Sequence, residues 1–302
     1  MVPVPSILVG LVAALSPLPP GLNEYERRAP GALADIRRTT AGALGRALAD
    51  GRELLEIEFP PLLEKKTQFD DYSNVEVLDA NRDFAVQLAL ETSIQNVVAD
   101  DKAALWLCFA DEGEAELAAE AWPGKIYGTA TQTYISAAVR AVGAEPLMPM
   151  GSAALDAANA FGSLFGGKRS PAGPPPPSPP PPALQLIVQP GDGGPMEDWL
   201  NLERLQVPGT PMVCLNGALD KVTSGYYSNF LNPELGKCSE RFFSRFEPVY
   251  YLKPIGSGRG WLFRVYGEPW QCYRTTREGL ELIETYDERP TLQVAVDRLR
   301  MP

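Results

Sequence analysis

Residues Phe246 to Tyr273, FEPVYYLKPIGSGRGWLFRVYGEPWQCY, constrain the fold more than any other stretch, because they hold the densest run of β-branched and aromatic residues in the chain. Val249 to Ile255 and Trp261 to Tyr266 read as two strands, and the glycines of GSGRG supply the positive φ angles that a tight reversal requires. Strict alternation sends Val249 and Tyr251 to one side and Tyr250 and Leu252 to the other. On the second strand Trp261, Phe263 and Val265 oppose Leu262 and Tyr266. Strands apolar on both faces belong in a sheet that is covered on both sides, so this hairpin is expected to be the spine of the core.

The preceding chain supplies that sheet. Leu33, Ile36, Thr40, Leu44 and Leu48 recur at helical spacing, with Gly51 as a C-terminal cap, and LLEIEF (Leu54 to Phe59) follows as a strand closed by Pro60 and Pro61. The acidic segment Asp70 to Asp83 reads as a solvated loop entering a helix, Asn81 to Ala99, that turns Phe84, Leu88, Ile94 and Val98 inward. ALWLCF (Ala104 to Phe109) is a second strand, and GEAELAAEAW a helix with Leu117 and Ala121 inward. Val139 to Pro149 reads as a short strand or an extended connection, and Ala153 to Phe165 as a short helix. Strand Leu184 to Val188, helix Met196 to Leu205 and strand Met212 to Leu215 form a β-α-β unit, which implies a parallel pair with a right-handed crossover. Leu292 to Leu299 reads as a C-terminal helix after Pro290. The expected fold class is α/β: an open mixed, mostly parallel sheet with helices on both faces and a C-terminal antiparallel hairpin.

One domain is expected over 31–302, interrupted at 166–183 by a proline-rich insertion. Nine of the twelve residues Pro171 to Pro182 are proline, so the piece lacks backbone donors and reads as polyproline II or disorder. Beside it, Gly162, Gly167 and Lys168 imitate a phosphate loop, but Arg169 stands where a Ser or Thr must bind magnesium. Residues 1–30 read as a leader, disordered or processed; alternatively the stretch packs on the core or associates with a membrane surface. Its apolar run Ile7 to Leu15 is shorter than the about 20 residues that span a bilayer and has no basic residue before it.

Composition narrows the function classes. The chain contains no histidine, which excludes Ser-His-Asp and Cys-His nucleophile systems and histidine-ligated metals. A net charge of -11 opposes a phosphate backbone, so nucleic acid is not an expected partner, and membrane contact is peripheral at most. The four cysteines, Cys108, Cys214, Cys238 and Cys272, are widely spaced, which suits a reducing compartment. In open α/β sheets ligands sit beyond the carboxyl ends of the parallel strands, and Asp111, Gln189, Asp192, Asn216 and Asp220 all follow strand-like runs. Together they would suit a magnesium ion or a sugar hydroxyl; alternatively each caps a helix or makes a turn. No catalytic residue, cofactor or resident metal is assigned.

FPPL (Phe59 to Leu62), LIVQPGD (Leu186 to Asp192), DWLNLERL (Asp198 to Leu205), CLNGALD (Cys214 to Asp220), RFEPVYYLKPI (Arg245 to Ile255), LFRVYGEPWQCY (Leu262 to Tyr273) and DERP (Asp287 to Pro290) stand in a characteristic order. In these the chain resembles an uncharacterised family of plant, algal and cyanobacterial proteins that includes the low photosystem II accumulation protein 3 of chloroplasts, and a similar domain is fused to a chloroplast adenylate-kinase-like protein. The resemblance spans roughly Ala41 to Arg300. It implies a stromal auxiliary factor, at most peripherally associated with the thylakoid, with protein partners in photosystem II assembly and no catalytic role. The kinase fusion and the strand-end carboxylates imply the alternative, an enzyme or binding protein for a phosphorylated or nucleotide-like small molecule.

Overall fold

The structure, a computed structural model, describes residue 22 and residues 31–62, 74–96, 104–122, 130–148, 180–191, 196–224 and 232–301. Nine strands form one sheet in the order β3-β2-β4-β5-β1-β6-β7-β8-β9. They are β1 (Leu54–Glu58), β2 (Ala104–Phe109), β3 (Ala130–Tyr134), β4 (Pro182–Val188), β5 (Met212–Leu215), β6 (Glu247–Ile255), β7 (Gly260–Val265), β8 (Trp270–Thr275) and β9 (Leu280–Tyr286). The pairs from β3 across to β6 are parallel and those from β6 to β9 antiparallel.

The crossovers after β1 and β2 run toward the β3 edge and carry α2 (Asn74–Ala89), α3 (Thr92–Gln95) and α4 (Glu112–Ala121). With α1 (Ala32–Ala49) these cover one face. The connections after β3, β4 and β5 run the other way and place α5 (Ile135–Ala141), α6 (Glu197–Leu205), α7 (Leu219–Thr223) and α8 (Pro233–Arg241) on the opposite face. Beside them, α9 (Leu292–Arg300) covers a smaller cluster over β6 to β8. The fold class expected from the sequence is therefore the one observed.

Local chemistry explains the elements. Helix α1 buries Ile36, Thr40 and Leu44 and ends where Gly51, at φ 72°, lets the Gly51 and Arg52 amides reach the Leu48 and Ala47 carbonyls. The β6–β7 reversal at 256–259 uses positive φ at Gly256, Ser257 and Gly258. Phe263 is 2% exposed, and its ring stands edge-on to Tyr250 with centroids 5.6 Å apart. Pro248 is tolerated in an interior strand because the register shifts there: Pro248 opposes Glu56 and Tyr250 opposes Ile57, which leaves Val249 as the extra residue.

Several local expectations are corrected. Because of that bulge, Val249 joins Tyr250 on the α1 face instead of Tyr251, and Tyr266, just past the end of β7, joins Trp261 and Phe263. The helix expected at Asn81 begins at Asn74 and breaks after Ala89. In α4 Ala118 is buried, while Leu117 is 46% exposed and Ala121 is also exposed. Of the two readings of 139–149, the connection is the one found: residues 139–148 hold the end of α5 and then a connection. Strand β4 starts at Pro182, and the carbonyls of Pro180 and Pro181 accept hydrogen bonds from Trp106 Nε1 (2.9 Å) and the Ala104 amide (3.0 Å). The helix read at 153–165, the phosphate-loop imitation and the leader lie outside the described residues, except that Leu22 is buried in the α1-face cluster.

Candidate functional site

Strands β5 and β1 are neighbours, yet the chain leaves them toward opposite faces, and the crevice this opens at their carboxyl ends is where open α/β sheets place ligands. Three non-glycine residues take left-handed backbone here: Gln189 (φ 47°) after β4, and Asn216 (φ 49°) and Ala218 (φ 46°) after β5. Such a conformation costs an L-residue about 1 to 2 kcal/mol, so something must hold it. The Gln189 amide donates to the Leu215 carbonyl (2.8 Å) and the Asn216 amide to the Ile57 carbonyl (2.7 Å). The Asn216 side chain accepts from the Phe59 amide (2.8 Å) and donates to Asn81 Oδ1 (2.6 Å), and Asn81 Nδ2 donates to Gln189 Oε1. One relay of side-chain amides, buried at Asn81 and Gln189 and half-buried at Asn216, thus ties β1, β5, β4 and α2 together. Gly217 lies inside it because a Cβ there would stand 2.3 Å from Cys214 Sγ.

On the other side of β1 the charges gather. Glu56 and Glu58, two residues apart, both face away from the Leu55 and Ile57 cluster. Lys253 of β6 sits 2.7 Å from Asp220 Oδ1 and 3.7 Å from Glu58 Oε1, and the Ala218 amide donates to Glu58 Oε2 (3.1 Å). Burial is the main cause that pushes the Glu58 carboxyl up to about 7; Lys253 and the Ala218 amide oppose it, while Glu56 and Asp220 add to it. Deeper along the same face, Arg289 grips Glu56 with Nη1 and Nη2, 2.7 and 3.3 Å from its carboxylate oxygens, and stacks over Tyr251 at 4.7 Å.

The Glu58 shift has a sign. A carboxyl held above its unfolded value binds a proton more readily when folded, so its contribution is fully present below about pH 4.5 and is lost as pH rises through about 7. Glu58→Gln should therefore flatten the fall in stability over that window and gain roughly 2 to 3 kcal/mol relative to wild type at pH 8. Urea unfolding of both proteins from pH 5 to 8 checks this; parallel pH profiles would contradict it.

Of the residues proposed from the sequence, Gln189, Asn216 and Asp220 converge on this crevice. Asp111 does not join them: its carboxylate caps α4 by accepting from the Glu114 amide (2.9 Å), and its charge adds to the burial that raises Asp198 to about 6. Asp192 lies outside the described residues. Among the described residues no three acidic or cysteine side chains are grouped so that they could hold a metal ion. All four cysteines are free and buried.

A family described as a domain of unknown function (DUF1995) matches residues 30–296, which takes in every strand of the sheet. The chain belongs to that family. No curated protein and no solved structure matches it.

In this DUF1995 domain the residues that sequence reasoning missed are Asn81, Glu56, Glu58, Lys253 and Arg289. A signal was present for three of them. Glu56 and Glu58 are charges at period two inside the apolar run LLEIEF, and Lys253 interrupts YYLKPI, so all three are ionic groups that a covered sheet can hold only in pairs.

Proposed function

We propose that this protein is a non-catalytic auxiliary factor that acts by binding other proteins during assembly of photosystem II, in the chloroplast stroma and at most peripherally on the thylakoid. The resemblance in CLNGALD, RFEPVYYLKPI and LFRVYGEPWQCY supplies the biological setting. One observation favours a binding factor over an enzyme: the polar groups at the carboxyl ends of the strands spend their hydrogen bonds on one another. Among the described residues, Asn81, Asn216 and Gln189 form one hydrogen-bonded relay, and the Lys253 ammonium is shared by Glu58 and Asp220. Those two carboxylates also oppose a phosphorylated or nucleotide-like ligand, whose charge they would repel.

The test is complementation. A strain lacking the protein should accumulate less photosystem II, and wild type and Asp220→Asn, expressed at equal abundance, should restore it alike. Normal photosystem II in the deletion strain, or failure of the folded and abundant variant, contradicts the reading.

A further inference from the structure

The sheet ends on β9, whose second side faces no strand among the described residues. An unpaired strand offers a row of amide and carbonyl groups, which proteins usually blunt with proline, lysine or a very short edge. β9 is seven residues, LELIETY, with neither proline nor lysine. Its own charges are partly engaged, since Glu281 lies 3.7 Å from Arg274 and Glu284 3.1 Å from Arg298. Both of its faces are apolar and half-covered: Leu280 and Leu282 join the α1-face cluster, and Ile283 and Tyr286 join the cluster under α9.

Two further observations specify what would fit. Residues 277–288 hold five carboxylates against one arginine, so a second copy paired along β9 would set like charges against like. Immediately past Tyr286 a cleft of about 380 Å³ opens beside Phe243, Phe246 and Trp270, with Asp287 and Glu288 in its wall. Its two arginines are occupied, Arg264 by Glu247 at 2.7 Å and Arg289 by Glu56, whereas the Asp287 and Glu288 carboxylates meet no cation among the described residues. The Trp270 ring is buried beneath Arg264 and Arg289, at 5.3 and 5.4 Å, so it is the two free carboxylates of the wall that suit a lysine or arginine side chain.

We propose that the free edge of β9 and the cleft at its end form a docking surface for an extended basic segment of a partner protein, which adds to the sheet as a tenth strand and lays a basic side chain across the cleft. The main-chain ladder supplies adhesion and the acidic edge selects the partner's charge. The proposal rests on the reading of this protein as one that binds other proteins, but it needs no role in photosystem assembly, so either can fail without the other.

The probe is a proline-free heptapeptide of alternating lysine and valine, titrated into the full chain while backbone amide exchange is followed. Protection is expected at residues 280–286, with affinity about tenfold weaker when alternate peptide amides are N-methylated and about tenfold weaker for Asp287→Lys combined with Glu288→Lys. The N-methylated arm leaves the protein unaltered, so a folding defect cannot imitate its result. Binding indifferent to N-methylation, no protection of β9 at saturating peptide, or sedimentation showing that the chain pairs with itself through this edge overturns the proposal.

Discussion

Phe263→Ala is expected to destabilise the protein by about 3 to 5 kcal/mol, the cost of deleting a buried aromatic ring from close-packed surroundings. Phe263 lies on β7 between β6 and β8, opposite Leu252 and Gln271, and its ring meets Tyr250 edge-on. Tyr250 in turn meets Phe59 at 6.4 Å, and Phe59 meets Phe84 of α2 at 4.4 Å. The lost ring therefore leaves a void at one end of an aromatic chain that ties the antiparallel strands to β1 and to a helix. Neighbours held by both strands and helices collapse poorly into such a void, which places the effect well above that of an average substitution. A shift of the urea midpoint at unchanged slope would measure it, and near wild-type unfolding would show that the ring carries no such load.

Arg289→Ala is expected to cost about 3 kcal/mol. The Glu56 side chain is only 1% exposed, and its partner is 31% exposed, so truncation strands a carboxylate in the sheet while also removing the guanidinium stacked on Tyr251 and Trp270. The companion variant separates the pair from its members. With Glu56→Leu added to Arg289→Ala no buried charge is left unpaired, and most of the loss should return, because an apolar replacement of both partners is commonly neutral or better. A double variant no more stable than the single one, by urea unfolding, would show that Arg289 acts through packing alone.

Much of this architecture was legible because single residues announce it. Gly51 marks the end of α1, Pro60 and Pro61 close the region after β1, and GSGRG forces the β6–β7 reversal. The illegible parts each have a physical cause. Strand β3, ATQTY, is half-buried at the far edge of the sheet, so it needs no apolar alternation and shows none. The single extra residue at Val249 defeats a strict two-residue period, and Ala118 outcompetes the larger Leu117 for the inward side of α4. Asn81 reads as a helix start because asparagine favours caps, whereas its role depends on Gln189 and Asn216, more than a hundred residues away in sequence. Strand-end position alone brought Gln189, Asn216 and Asp220 to attention, but only the fold shows that they are satisfied by Asn81, Phe59 and Lys253.

We propose that this carboxyl-edge cluster, whose polar groups pair with one another among the described residues, serves the sheet and not a small anionic ligand. Thermal unfolding of the full chain with magnesium and a panel of nucleotides and sugar phosphates tests it most directly. The midpoint is expected to be unchanged by any of them. A midpoint raised by several degrees, the equivalent of about 2.7 kcal/mol at a hundred times the dissociation constant, and returned to baseline by Asp220→Asn, would contradict it.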